Sequence, residues 1–141
     1  MKTILAAIAA LSIQTAPAWT WTLYEGPTIT LANEVPDTSR LRATFECAPH
    51  SNIARLTLYG GAPAANGFAQ VTAGASSATV EVADGPRNAD VVTVRTDHPV
   101  FAAFTAEGRL TVRAARETGV TVVVEPDHLA KLRRFAELCA G

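Results

Sequence analysis

Apolar and polar residues alternate along most of the chain after residue 18. In residues 41–47 every second side chain, from Leu41 to Cys47, is apolar, and charged or hydroxyl side chains stand between them. A period of two places successive side chains on opposite faces, so this pattern predicts a half-buried strand. The same alternation marks other runs, bounded by Gly, Pro, Asn or Asp: residues 19–24, 28–32, 54–59, 68–71, 78–82, 91–94, 110–113 and 120–124.

Two stretches depart from this alternation. Residues 72–77 are small and polar, a composition that predicts a loop. Residues 100–104 are apolar throughout, which fits either a buried strand or a helical turn.

The period changes near the end of the chain, after Pro126. Leu129, Leu132, Ala136 and Cys139 recur at helical spacing, which places them on one face of a helix. Proline is favoured in the first turn of such a helix. The whole pattern predicts a mainly β fold of about eight to ten short strands, in an antiparallel β-sandwich or barrel-like sheet closed by one C-terminal α-helix.

The start of the chain has the three parts of a secretory signal peptide. Lys2 is basic, residues 3–13 are largely apolar, and Ala16 and Ala18 are the small residues that signal peptidase reads. Cleavage after Ala18 would leave a single domain of residues 19–141. A membrane anchor is the alternative, but the apolar run is far shorter than the ~20 residues of a membrane span. We therefore expect a periplasmic or secreted protein with no transmembrane segment in its mature chain.

Two cysteines, Cys47 and Cys139, lie in the expected mature domain. An even number of cysteines in an exported chain favours a disulfide, because the compartment is oxidising. Two buried thiols and a bridge between two chains are the alternatives. The chain has no C-x-x-C motif, so a bridge would be structural rather than catalytic.

The charge balance narrows the range of partners. The chain carries 12 Lys and Arg against 13 Asp and Glu, a formal net charge of −1. Loss of Lys2 with a signal peptide makes the balance slightly more negative. Such a composition argues against nucleic acid or an anionic membrane as the main partner.

No motif in the chain carries a recognisable chemistry. His50, His98 and His128 are far apart, and no cysteine or second histidine lies at metal-ligand spacing from any of them. Ser51 lies beside His50, but no G-x-S-x-G sequence surrounds a serine. We therefore expect no catalytic residue, no metal and no cofactor.

The densest aromatic cluster is Trp19, Trp21 and Tyr24. These side chains either fill one side of the core or form a patch that contacts a sugar or a partner protein. A second candidate contact region is the glycine-rich stretch of residues 60–67, which includes Gly60, Gly61 and Asn66. Binding residues often lie on loops that a rigid sheet supports.

Several segments together carry a resemblance to a known family: Trp21 and residues 28–31, 41–47, 96–97, 100–101, 110–113 and 132–139. They resemble small periplasmic proteins, the accessory proteins associated with type VI secretion and often labelled TagO or VasI. The resemblance covers most of the mature chain and departs from the family in residues 60–89, where the family's tryptophan and basic positions are not found. It implies a periplasmic β domain that acts through protein or envelope contacts, with a cysteine pair at Cys47 and Cys139.

Three functions remain as hypotheses from the sequence. The first is a non-enzymatic binding or accessory protein of the bacterial envelope, with an unknown protein or envelope component as its partner. The second is an inhibitor of a secreted hydrolase, such as a lysozyme or a protease, that inserts the loop of residues 60–67. The third is a small hydrolase or metal-binding protein that uses His50, Asp97 and His98.

Overall fold

The computed structural model describes residues 18–60, 67–114 and 119–141. The predicted signal peptide before Ala18 lies outside the described residues, as do Gly61 and Asn66. The described part contains nine strands and two α-helices. The strands are β1 Thr20–Tyr24, β2 Ile29–Glu34, β3 Leu41–Cys47, β4 Ile53–Leu58, β5 Gly67–Ala73, β6 Ser76–Asp84, β7 Asp90–Arg95, β8 Arg109–Ala114 and β9 Val120–Val123; the helices are α1 Pro99–Glu107 and α2 Leu129–Cys139.

All nine strands form one antiparallel sheet in the order β1-β2-β3-β4-β7-β6-β5-β8-β9. Strands β1 to β4 follow one another as a meander, and β7 then pairs with β4 to join the second group of strands to the first. The sheet curls into a half-barrel, with α2 at the C-terminal end of the chain. The predicted fold class, a mainly β barrel-like sheet closed by a C-terminal helix, is therefore confirmed.

The structure decides two local expectations from the sequence. Residues 72–77 are not a loop, because β5 continues to Ala73 and β6 begins at Ser76. Only Gly74 and Ala75 form the turn, with a φ of 55° at Gly74. Small residues have little strand preference of their own, but pairing with a neighbouring strand overrides that preference here. The apolar stretch of residues 100–104 lies within α1 and is helical.

The core lies on the concave face of the sheet and is centred on the ring of Phe45 in β3. That ring lies 5.2 Å from the ring of Phe104 in α1 and 6.1 Å from the ring of Phe135 in α2. The ring of Trp21 in β1 also lies 6.1 Å from it. All four side chains are almost completely buried. Both helices therefore pack inside the curl of the sheet.

Helix α1 is bounded by side-chain and backbone caps. Its first turn contains Pro99, and the His98 ring accepts a hydrogen bond from the backbone N–H of Val100 at 3.1 Å. Gly108 ends the helix in the left-handed conformation, with a φ of 74°. Helix α2 is amphipathic as the spacing predicts, and its buried residues are Leu132, Phe135 and Cys139.

A disulfide joins the end of β3 to the end of α2. It links Cys47 and Cys139, which are 92 positions apart, so the bridge is intramolecular. Two backbone hydrogen bonds support the same junction, from the His50 N–H to the Leu138 carbonyl (3.0 Å) and from the Asn52 N–H to the Cys139 carbonyl (2.9 Å). The helix is thus attached to the sheet through both covalent and backbone contacts.

The two edge strands of the half-barrel approach each other beside α2. The indole N–H of Trp21 in β1 donates a hydrogen bond to the Val123 carbonyl in β9, at 3.0 Å. The Lys131 ammonium of α2 donates to the Trp21 carbonyl at 2.6 Å. These contacts satisfy backbone groups that an open sheet edge would leave unpaired.

Candidate functional site

The three aromatic residues of the N-terminal cluster have different environments. Trp21 is 1% exposed and belongs to the core, so its ring is not available to a partner. Tyr24 is 50% exposed, and its hydroxyl donates to the Glu34 carboxylate at 2.6 Å. Trp19 lies just before β1 and is half-buried. Trp19 and Tyr24 are therefore the members of this cluster that a partner could reach.

Trp19 lies against two guanidinium groups. The Arg42 guanidinium carbon is 3.9 Å from the centre of the Trp19 ring system, and that of Arg40 is 5.5 Å from it. Such cation–π contacts are attractive, because the face of the indole ring is electronegative. Within the described residues neither guanidinium has a carboxylate or hydrogen-bond partner, so its N–H groups are available to a ligand.

A β-bulge lies at Arg42 in β3. Asn33 of β2 pairs with Ala43, while Glu34 pairs with Leu41, so Arg42 is an extra residue on β3 with no partner in β2. A bulge of this kind bends the strand and redirects a side chain. The bulge therefore lies at the residue whose guanidinium is over the Trp19 ring.

A third arginine, Arg87, reaches the same end of the sheet from the connection between β6 and β7. It lies in a short 3-10 turn, Pro86–Asn88, with a left-handed φ of 55°. Its guanidinium donates a hydrogen bond to the Ser39 carbonyl at 2.7 Å. The guanidinium carbon also lies 5.8 Å from the centre of the Tyr59 ring. These contacts hold Arg87 against the turn between β2 and β3.

We call this set of side chains the arginine rim: Trp19, Arg40, Arg42, Tyr59 and Arg87. All five lie at the end of the sheet where β1 and β3 begin and β4 ends. The disulfide lies at the opposite end, where β3 ends.

Two clefts meet at Tyr59, which lines both of them. One cleft, of about 360 Å³, lies between the Trp19, Arg40 and Arg87 side chains. The other, of about 370 Å³, extends from Arg42 to β9, and the Glu125 carboxylate lies at its margin. Both volumes are within the range of small-ligand and side-chain pockets. Gly60 lines the first cleft, is exposed and has a φ of 77°.

The rim arginines have no carboxylate partner among the residues that the structure describes. The ion pairs in those residues are Arg95–Asp97, Arg134–Glu25 and Arg134–Glu137. Three positive charges therefore share one end of a chain whose net charge is slightly negative. This concentration makes the rim a candidate binding surface for an anionic group.

The histidine and serine candidates have local structural contacts instead. The His98 ring caps α1, and the His50 Nδ1 lies 2.8 Å from the Ala140 carbonyl. Asp97 forms a two-pronged contact with Arg95, which lowers the pKa of that carboxyl group below its usual value. The Ser51 hydroxyl contacts the backbone of Ile53.

The remaining candidates are His128, a metal-binding group of side chains and a third cleft. The His128 Nδ1 lies 3.4 Å from the Lys131 ammonium. Among described residues, no group of three or more His, Cys, Asp or Glu side chains could hold a metal ion. A third cleft, of about 400 Å³, lies near the disulfide and is lined by residues such as Glu46, Ser51 and Arg55.

Sequence reasoning singled out Trp19, and Gly60 in the cleft beside the rim, but missed the other four members of the rim. Arg40, Arg42 and Arg87 read as ordinary polar residues of turns and strands. One signal was available: the Arg-x-Arg pair at the start of a strand places two cations within reach of the same neighbour. Its significance depends on Trp19, which is distant in sequence.

Comparison of the chain with protein-family models, curated proteins and solved structures finds no match. Within the described residues, neither helix has the length and apolar character that crossing a membrane requires.

Proposed function

We propose that this chain is an exported, non-enzymatic binding or accessory protein of the bacterial envelope, and that its partner binds at the arginine rim. The export signal and the oxidised cysteine pair support a location outside the cytoplasm. The resemblance to periplasmic accessory proteins favours an envelope role.

The choice of the arginine rim as the binding surface depends on one observation. The Arg42 and Arg40 guanidinium carbons lie 3.9 Å and 5.5 Å from the centre of the Trp19 ring, and neither guanidinium has a hydrogen-bond partner among the described residues. Tryptophan, tyrosine and arginine are the residue types most enriched in the energetic centres of protein interfaces. The rim combines all three types at the margins of two clefts.

Site-specific photocrosslinking in the envelope tests this placement. A photoreactive amino acid would replace Ser39, an exposed residue of the rim cleft, or Ser77, an exposed residue of β6. Ser77 is the matched control, because the residue type and exposure are the same. We expect a discrete crosslinked product from position 39 and none from position 77. Crosslinks from position 77 alone, or from neither position, would contradict the proposed surface.

The crosslinked partner also separates the accessory function from the inhibitor alternative. A secreted lysozyme or protease captured at position 39, and inhibited by the purified domain, would favour the inhibitor. A structural envelope protein, with no loss of hydrolase activity, would favour the accessory function.

A further inference from the structure

We propose that the arginine rim binds a carboxylate-rich segment of a partner polypeptide. This inference rests on the proposed function, because it names the chemistry of the partner at the same surface. Its basis is the arrangement of Arg40, Arg42 and Arg87 around two aromatic rings.

Both aromatic rings of the rim already have an arginine over them. The Arg42 guanidinium carbon lies 3.9 Å from the centre of the Trp19 ring, well within the roughly 6 Å range of a cation–π contact. A sugar ring that needed this face would have to displace the arginine. The groups left for recognition are therefore the N–H edges of the guanidiniums rather than the rings.

The guanidinium edge matches a carboxylate. Its N–H donors form a planar fork that binds the two oxygens of a carboxylate with two parallel hydrogen bonds. Arg87 uses one N–H for the Ser39 carbonyl, and this bond fixes the orientation of the remaining donors. Stacking on Trp19 restricts Arg42 in the same way. The rim is thus organised before a ligand binds, which reduces the entropy lost on binding.

The distribution of charge favours several spaced carboxylates. Arg42 lines one cleft, Arg40 and Arg87 line the other, and Tyr59 lines both. One small anion could not fill both clefts. A polypeptide with acidic side chains along its length could place a carboxylate in each.

The surroundings of the rim disfavour a dense polyanion. Glu125 lies at the margin of the cleft that contains Arg42, and Asp37 is exposed in the turn that carries Arg40. Nucleic acids and anionic membranes are bound by broad basic surfaces. A local cluster within a slightly negative chain is better matched to a discrete acidic segment.

Fluorescence anisotropy with defined probes tests the ligand class. The first probe is a labelled peptide of alternating glutamate and glycine, and its control has glutamine in place of glutamate. Polygalacturonate and phosphatidylglycerol vesicles, added as competitors, represent acidic polysaccharides and anionic lipid headgroups. We expect the glutamate peptide to bind at least about tenfold more tightly than the glutamine peptide, because only the former pairs with guanidinium. We also expect both competitors to displace it weakly.

Two substitutions at one position, with a matched control elsewhere, locate the binding. Arg42→Gln should weaken binding of the glutamate peptide about tenfold, and Arg42→Lys should also weaken it, because lysine keeps the charge but lacks the planar fork. Arg55→Gln is the control: it removes the same charge from an exposed arginine near the disulfide end. It should change the affinity by less than about twofold. Thermal unfolding would verify that the variants are folded.

These measurements test the class of the ligand and the position of the binding site separately. Equal affinity for both peptides, or equal effects of Arg42→Gln and Arg55→Gln, would overturn the inference. Stronger displacement by vesicles or polygalacturonate than by unlabelled peptide would overturn it in favour of the other class. If photocrosslinking from position 39 succeeds while the glutamate preference fails, the proposed surface stands and the ligand class falls. If both fail, both proposals fall.

Discussion

At the residue scale, two glycines have similar backbone conformations but different surroundings. Gly108 and Gly60 both have a left-handed φ, of 74° and 77°. A Cβ at Gly108 would clash with the Val124 carbonyl oxygen and the Leu129 side chain, whereas a Cβ at Gly60 would meet no atom within 4 Å. The sequence shows two glycines, but only the packing distinguishes their roles.

This difference gives a first prediction. Gly60→Ala should lower the free energy of unfolding by about 1–2 kcal/mol. The cost comes from the left-handed backbone conformation, which alanine adopts less readily than glycine, because the added methyl group meets no neighbouring atom. Gly108→Ala should lower the free energy of unfolding by about 1–3 kcal/mol more, because the added methyl group overpacks a buried turn. Urea denaturation of both variants measures the difference. Equal effects would show that the turn after α1 can move to accommodate the methyl group.

A second prediction concerns the Tyr24 hydroxyl. Its hydrogen bond to Glu34 raises the pKa of Tyr24 above the ordinary value of 10.0, because the neighbouring carboxylate disfavours the phenolate. The resulting stabilisation is present below the pKa of the unfolded chain and is lost as the pH rises through the higher pKa of the folded protein. Glu34→Gln should therefore lower the pKa of Tyr24.

Ultraviolet titration in a Tyr59→Phe background measures this pKa, because the chain has two tyrosines. Asp37→Asn is the control for general loss of negative charge in this region, because Asp37 has a smaller effect on the Tyr24 hydroxyl than Glu34. An unchanged Tyr24 titration in Glu34→Gln would show that the hydrogen bond is not maintained in solution.

At the element scale, the sequence was most informative where a local period governs the structure. Alternation predicted the strand that became β3, and helical spacing predicted α2. Both patterns also placed Cys47 and Cys139 on buried faces, where the disulfide forms. Residues 72–77 were predicted incorrectly as a loop, because their composition is that of a loop while Thr72 and Ala73 pair with Ser77 and Ser76 across the hairpin of β5 and β6.

The disulfide gives a third prediction. The bridge closes a loop of 92 positions, and the chain-entropy model assigns such a loop roughly 4–5 kcal/mol of stability as an upper figure. The Cys47→Ala, Cys139→Ala double variant should lose several kcal/mol by urea denaturation, and reductant should destabilise the parent chain similarly. Reductant should leave the double variant unchanged, which is the internal control. An equally stable double variant would contradict a stabilising role for the bridge.

At the scale of the whole molecule, contacts between the ends of the sheet complete the half-barrel. Trp21 in β1 bonds to the Val123 carbonyl in β9, 102 positions away, and Lys131 of α2 bonds to the Trp21 carbonyl. The order and direction of the strands bring Trp19, Arg42 and Arg87 to one end of the sheet. Closure of the half-barrel and assembly of the arginine rim therefore both depend on contacts between residues that are distant in sequence.

The contact between the edge strands gives a fourth prediction. Trp21→Phe should lower the free energy of unfolding by about 2–4 kcal/mol, because it leaves a cavity and an unpaired carbonyl at Val123. Tyr24→Phe, on the same strand, removes only an exposed hydrogen bond and should change stability by less than about 1 kcal/mol. Equal effects of the two substitutions, measured by denaturation, would show that the indole bond does not join the edges in solution.

The sequence by itself determined the strands, the terminal helix and the general fold class, because their periods are properties of neighbouring residues. It also indicated the cysteine pair through its even number and its placement on apolar faces. The order of the strands, and the pairing of β7 with β4 above all, depended on the tertiary structure. So did the separation of Trp21 from Trp19, which share one face of the same strand pattern. The arginine rim joins residues 19, 40, 42, 59 and 87, and no local period can indicate a contact between such distant positions.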